Sequence, residues 1–238
     1  PTQILYTINY EENGKSYTET AVRPVTIYKK SALTWDNTAK LASFITPSDN
    51  IITSFAFSAL AGVPSRQFIS DNFRRAVVLA ESIGKIPLSY MPDPQPTSDA
   101  LQHKYDVDTV RLPRESRDYT AGDCDDMTAL FCSVLESIGI PTAILTTPGH
   151  VFAAFDTGTK PDELWASIPA QYSAIENGGT IWIPVETTML SKGFIEAWKN
   201  ASLFYEKAKN SSDHDFVKVA DATKEFPAEP VPHSDKSA

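Results

Sequence analysis

Gly122-Asp123-Cys124-Asp125-Asp126-Met127 sets a cysteine among acids at the point where a helical pattern begins. Behind it, Met127, Leu130, Phe131, Val134, Leu135 and Ile138 recur at i, i+3, i+4, i+7, i+8 and i+11. That is the spacing of one apolar helix face. It predicts a helix over about 124–138, with Cys124 at its start and on its inward side. A thiol there faces the positive end of the helix dipole and unbonded N–H groups, and both favour the thiolate, the reactive form of cysteine. The same N–H groups can hold an oxyanion. The flanking carboxylates act the other way, since like charge opposes ionisation of a thiol. A cation must offset them if Cys124 is a nucleophile, and an imidazolium would serve.

His150 is the candidate. It follows the turn Pro148-Gly149 and opens the strand His150-Val151-Phe152-Ala153-Ala154-Phe155, after an earlier strand at about 141–147. A histidine at a strand start points into the mouth of a sheet. A Cys–His pair needs a third group to fix the ring and its tautomer. In Ile181-Trp182-Ile183-Pro184-Val185-Glu186-Thr187, Ile181, Ile183 and Val185 alternate toward one face, and Trp182 and Glu186 toward the other. If this strand pairs with that of His150, Glu186 reaches an imidazole nitrogen. Asp156 competes for the role, but six strand residues put it about 20 Å from His150. The expected set is Cys124 as nucleophile, His150 as base and Glu186 as orienter.

Together these segments resemble the transglutaminase-like superfamily. The likeness is carried by Gly122-Asp123-Cys124-Asp125-Asp126, Leu135-Glu136-Ser137-Ile138-Gly139-Ile140-Pro141, Gly149-His150-Val151 and Trp182-Ile183-Pro184-Val185-Glu186-Thr187-Thr188. The family's core has a nucleophilic Cys at a helix start, a Leu-rich helix ending in Gly-Ile-Pro, a His opening a strand, and an acid in a Trp-x-x-Val-Asp-x-Thr strand. The likeness spans roughly residues 66–210 and is most specific over 119–188. It implies an α+β fold with a papain-like core, in which the helix carrying Cys124 packs on an antiparallel sheet. It also implies a thioester acyl-enzyme, a protein or peptide substrate and no cofactor. Resolution by water makes a cysteine peptidase or amidase, the expected activity; resolution by an amine makes a transglutaminase-type transferase. Acyl transfer from a thioester donor, as in the related arylamine acetyltransferases, is the runner-up chemistry. The acid position holds Glu186 where the family's motif holds Asp. Tyr119 and Gln102 are upstream candidates for the family's oxyanion side chain. A reading of another class is a binding or assembly module that keeps the fold and does no chemistry.

The rest of the chain bounds these readings. At 238 residues it is long enough for one large domain or two unequal ones. A hydrophobic content of 42% with 21% charged residues excludes a wholly disordered or coiled-coil chain. A net charge of -9 without basic clusters argues against a nucleic-acid partner. No apolar run approaches the roughly 20 residues of a membrane helix. Cys124 and Cys132 lie about two turns apart on one helix, too far to bridge. Cys132 is read as packing, and so are Trp35, Trp165, Trp182 and Trp198, with Trp182 also a candidate cleft wall. His103, His214 and His233 are read as surface or satisfied core residues. Asp123, Asp125 and Asp126 are read as capping the helix or holding the loop by hydrogen bonds. A metal site is disfavoured, because Cys-x-x-Cys spacing is absent and a thiol among carboxylates mixes soft and hard ligands.

Residues 1–60 read as a small all-β module, with an Ig-like sandwich as the suggested form; 61–220 read as the catalytic domain and 221–238 as a disordered tail or linker. Ile4, Tyr6, Ile8 and Tyr10 alternate as in a half-buried strand, Asn13-Gly14 signals a hairpin, and Val25–Tyr28, Leu41–Ile45 and Ile51–Phe57 are further strand candidates. Ser65 is expected to cap a helix running to Ile83, with Phe68, Ile69, Phe73, Val77 and Ala80 on its inner side. That helix and the one bearing Cys124 both end in Glu-Ser-Ile-Gly, which suggests one glycine C-cap used twice. The prolines of 86–121 predict a long loop, and a last helix is expected over about 192–209. The chain opens at Pro1 without a secretory signal pattern, as a mature form or an excised piece would. Compartment and oligomeric state are not legible.

Overall fold

The computed structural model describes residues 2–64, 70–91, 107–164, 168–169, 171–210 and 214–231. The chain divides into two compact units, Pro1–Ala32 and Leu33–Ala238.

The first unit is a hairpin. Strands β1 (Thr2–Glu12) and β2 (Lys15–Val25) pair antiparallel in unbroken register from Thr2↔Val25 to Glu12↔Lys15. Asn13 and Gly14, at φ 52° and 74°, make the tight turn. Two successive positive φ values are what a twisted two-residue hairpin demands, and Asn-Gly supplies them at least cost. Tyr10 stacks on its cross-strand neighbour Tyr17 at 5.3 Å. The alternation of Ile4, Tyr6, Ile8 and Tyr10 predicted one buried face, but these residues are exposed. Two strands alone give no second layer to bury them.

The second unit is built from both helix and strand, an α+β arrangement. In chain order its elements are β3 (Ala32–Thr34), α1 (Asn50–Leu60), α2 (Asp71–Gly84), β4 (Ser89–Tyr90), β5 (Val107–Thr109), α3 (Pro113–Tyr119), β6 (Ala121–Gly122), α4 (Cys124–Glu136), β7 (Thr142–Thr147), β8 (His150–Asp156), α5 (Pro161–Leu164), β9 (Ile175–Asn177), β10 (Thr180–Val185), α6 (Phe194–Ala208), β11 (Asp215–Lys218) and α7 (Val219–Glu225), with 3-10 segments at Thr38–Phe44 and Thr187–Lys192. Five strands form an antiparallel sheet in the order β11-β7-β8-β10-β9. Val151, Ala153, Phe155, Ile181, Ile183 and Val185 point into the larger core, shared with α4. Phe152, Ala154 and Trp182 point to the opposite face, where Ala201 of α6 and Ala143 and Leu145 of β7 complete a second cluster. The period-two alternation therefore sorts the sheet into two buried faces.

The helix of Cys124 is buried more fully than its pattern implied. Every residue from Cys124 to Leu135 is buried, the polar ones included. The polar side has specific partners: Thr128 Oγ1 meets Thr187 Oγ1 at 3.1 Å, and Ser133 Oγ accepts from Thr46 N at 2.8 Å. A buried polar group costs stability unless bonded, so these partners let α4 run through the middle of the unit.

Several expectations are corrected. Leu41–Ile45 lies mostly in the 3-10 segment, and Ile51–Phe57 lies within α1. A short apolar run does not by its period distinguish a strand from a buried helix. The deciding signals are the caps: Asn37 accepts from Ala39 N, and Asp49 from Ile51 N. With these segments helical, the division between units falls after Ala32 rather than near residue 60. The loop expected over 86–121 contains α3, which starts at Pro113, where proline's missing N–H costs nothing. Residues 221–225 belong to α7, and Glu229 N donates to Ser43 O at 2.7 Å. Ser70, not Ser65, caps α2; Ser65, Phe68 and Ile69 lie outside the described residues.

The two Glu-Ser-Ile-Gly endings also part ways. Gly139 follows its helix at φ 78°, as a C-cap glycine does. Gly84 ends α2 in ordinary helical conformation, and a Cβ there would collide with the Leu190 carbonyl. Its role is close approach to the 3-10 segment that follows Glu186. Gly84→Ala is therefore expected to lower stability by about 1–3 kcal/mol through overpacking. Urea melts of both proteins check this; equal midpoints would contradict the packing described.

Candidate active site

Three elements bring Cys124, His150 and Glu186 together. Cys124 is the first residue of α4, with Asp123 at the cap position. His150 is the first residue of β8, opposite Thr147 across the β7–β8 turn. Glu186 follows β10 directly, and β10 is the antiparallel neighbour of β8, in the register Val185↔Ala153 and Trp182↔Asp156. His150 and Glu186 stand at even positions of their strands, on the sheet face of Phe152 and Trp182. Asp156 sits at the far end of β8, where its carboxylate accepts from Gly158 N at 2.8 Å.

His150 Nε2 and Glu186 Oε2 are 2.5 Å apart. Glu186 is 2% exposed, and its other oxygen accepts from Thr188 N at 3.1 Å and from Thr188 Oγ1 at 2.6 Å. Its own N–H donates to Ala197 O of α6 at 3.1 Å. The carboxylate is thus anchored on three sides. With Nε2 committed to Glu186, Nδ1 is the ring nitrogen left for the Cys124 side chain, which lies near enough to act on the pKa of the ring. Burial of His150 works to lower its pKa. The interactions with Cys124 and Glu186, and their charges, outweigh that and raise it from 6.5 to about 10. Cys124 itself is 3% exposed.

Behind the sulfur lie three buried carboxyls, Asp123, Asp125 and Asp126, with oxygens within 4.8 Å of one another. Among the described residues, this is the group whose spacing could hold a metal ion. The protein partners it otherwise. Arg111 donates to Asp126 from its backbone N at 2.7 Å and from its guanidinium at 2.5 Å, which ties the loop before α3 to α4. Asp125 Oδ1 accepts from Asp126 N at 2.7 Å. Burial, the hydrogen bond to Asp123 and the charges of Asp123, Asp126 and Asp108 push the Asp125 carboxyl well above the usual carboxylate range. Asp126 is raised to about 7, by burial first and against the bonds from Arg111. The first turn of α4 thus sheds negative charge by keeping a proton.

Tyr90 belongs to this neighbourhood, and nothing in the local pattern pointed to it. Parallel pairing of β4 with β6, Tyr90↔Gly122, sets it beside the segment that leads into Cys124. Burial of part of the ring comes first, and the neighbouring Cys124, Asp123, Asp125 and Glu186 add to it, in raising its phenol to about 12, so it stays a hydrogen-bond donor, although the residue as a whole is 59% exposed. It lines a pocket with Met127, Thr187, Thr188 and Leu190. No local motif marks a residue placed by a two-residue strand pairing. Tyr119 ends α3 and is 72% exposed, and Gln102 lies outside the described residues.

The remaining candidates are structural. Cys132 is fully buried, and burial pushes its thiol up to about 12. His214 bonds through Nδ1 to Thr146 O at 2.9 Å; His103 and His233 lie outside the described residues. Trp35 donates to Asp108 at 2.8 Å and Trp198 to Ser173 O at 2.8 Å. Trp182 packs edge-on against Phe216 and donates to Asn177 O at 3.1 Å; Trp165 is outside the described residues. No described helix is long and apolar enough to cross a membrane.

No family model matches the sequence, and no curated protein matches it. A solved structure of a "putative protease" from Parabacteroides distasonis is similar at 14% identity and a TM-score of 0.37, over 83% of this chain. The chain spans 42% of that structure's length. A likeness of this extent carries no argument about chemistry.

Two outcomes follow from the electrostatics. A His150 pKa raised from 6.5 to about 10 on folding contributes stability that is complete below pH 6.5 and lost as pH rises through 10. The stability difference between wild type and Glu186→Gln should shrink across that window; a constant difference from pH 6 to 10 would contradict the pairing. The raised Asp125 pKa has the opposite consequence: above the ordinary carboxylate range it costs stability. Asp125→Asn keeps the acceptor and supplies the proton, so it should raise the melting temperature at pH 7, with the gain vanishing toward pH 3. A drop at pH 7 would show that the carboxylate is charged.

Proposed function

We propose that the second unit is a thiol-dependent amide-bond enzyme with a papain-like, transglutaminase-like core, most simply a cysteine peptidase or amidase. The observation that carries this is the imidazole of His150, bonded to Glu186 and beside Cys124, the first residue of a buried helix. In the reaction, His150 takes the thiol proton and the sulfur attacks the carbonyl carbon of an amide. Charge develops on the carbonyl oxygen, and in this reading the N–H of Cys124 at the helix start and the Tyr90 phenol are the donors that receive it. The C–N bond breaks as His150 hands its proton to the leaving amine, and a thioester forms. Water, or an amine, then attacks the thioester while His150 takes a proton, and the sulfur leaves. Glu186 holds the ring and stabilises its charged form throughout. Its extra methylene relative to Asp is accommodated because it lies beyond the end of β10, where the backbone turns into the 3-10 segment.

A second reading is favoured by one observation. Cys124 is 3% exposed, as expected of a binding or assembly module that keeps the fold without the chemistry. Iodoacetamide separates the two. The enzyme reading expects one thiol per chain to alkylate at neutral pH at least about tenfold faster than an ordinary free cysteine. Cys124→Ala should abolish this and Cys132→Ala should leave it intact. Two thiols that react only slowly would favour the module. On a peptide-amide substrate found by screening, Glu186→Gln should cost on the order of 10²-fold or more in kcat. The same screen with and without added amines decides between hydrolysis and transfer.

A further inference from the structure

Helix α6 does two things at the site. Its Ala197 carbonyl fixes the backbone of Glu186, and two turns on it places Phe204 against His150. The two ring centroids are 4.8 Å apart at 45°. On β8, Phe152 stacks on the same imidazole at 5.9 Å and 18°, and touches Phe204 at 6.2 Å. Phe204 remains 37% exposed, so hydrophobic burial alone does not account for an aromatic residue there. Its covered side lies on the base of the site. The groups that act electrically on the ring are Cys124 from α4 and Glu186 after β10, while β8 and α6 face it with Phe152 and Phe204.

We propose that Phe204 is a positioning residue: it clamps the His150 imidazole in the rotamer that turns Nε2 to Glu186 and leaves Nδ1 for Cys124, and keeps water off that pair. This rests on the function proposed above. An imidazole at a strand end can swing out to solvent, and a single hydrogen bond to a carboxylate permits that motion when water competes for both partners. A ring in van der Waals contact removes the space. It also lowers the local dielectric around the bond to Glu186.

The test uses the whole chain and needs no substrate. His150 is titrated by NMR, and Cys124 alkylation by iodoacetamide is followed against pH, in wild type, Phe204→Ala, Phe204→Tyr and Leu203→Ala. Leu203 is the exposed neighbour on the same helix. Phe204→Ala should release the ring from Glu186, so that adding Glu186→Gln no longer moves the His150 midpoint as it does when Phe204 is present. It should also slow neutral-pH alkylation by roughly three- to tenfold, the size of a lost ring contact and weakened pair. Phe204→Tyr restores both, and Leu203→Ala changes neither. If Phe204→Ala does not fold, Phe204→Val, which is smaller and lacks the ring, takes its place with the same expectation. An unchanged response to Glu186→Gln and an unchanged alkylation rate in the ring-less variant overturn the role of Phe204 while leaving the Cys124 chemistry standing. Alkylation that survives Cys124→Ala overturns the enzyme reading itself.

Discussion

The hydrogen bond between His150 Nε2 and Glu186 Oε2 is the constraint on which the site depends. It exists because β8 and β10 are neighbours in a fixed register, because both residues fall on the same sheet face, and because Thr188 and the Ala197 carbonyl hold the acid from behind. Once Nε2 is committed, only Nδ1 can serve the sulfur. A shift of one residue between the strands would send Glu186 to the opposite face and leave the ring without an anchor.

A second constraint is electrostatic. Cys124 starts a helix whose first turn carries three buried carboxyls, an arrangement that would be prohibitive if all were charged. Arg111 offsets one, and a retained proton removes charge from the Asp123–Asp125 pair. His150 is the other cation available to the sulfur, its pKa raised by Cys124 and Glu186 against burial. The positive charge that the acidic flank seemed to demand is supplied by two groups, one from the loop before α3 and one from β8. The arginine was not legible because Arg111 and Asp126 are fifteen residues apart in a segment that reads as loop.

What could be read from the sequence followed from period and order. The apolar spacing behind Cys124 located α4, and the turn at Pro148-Gly149 located the start of β8. The alternation of Ile181, Ile183 and Val185 put Glu186 on the correct face. The errors came where local pattern is ambiguous. Leu41–Ile45 and Ile51–Phe57 are apolar runs too short for period to choose between strand and helix, and Asn37 and Asp49 chose. Gly84 looked like Gly139 but answers to a carbonyl 106 positions away rather than to its own backbone angles. Tyr90 and Phe204 were invisible for a related reason: each reaches the site through a tertiary pairing that no neighbouring residue announces.

The most direct measurement of the central claim is the protonation of the two ring nitrogens of His150 at pH 8, read from their nitrogen-15 chemical shifts. The account predicts an imidazolium, protonated at both nitrogens, with one shift moved by Glu186→Gln and the other by Cys124→Ala. A neutral ring at that pH, or shifts indifferent to both substitutions, would contradict it.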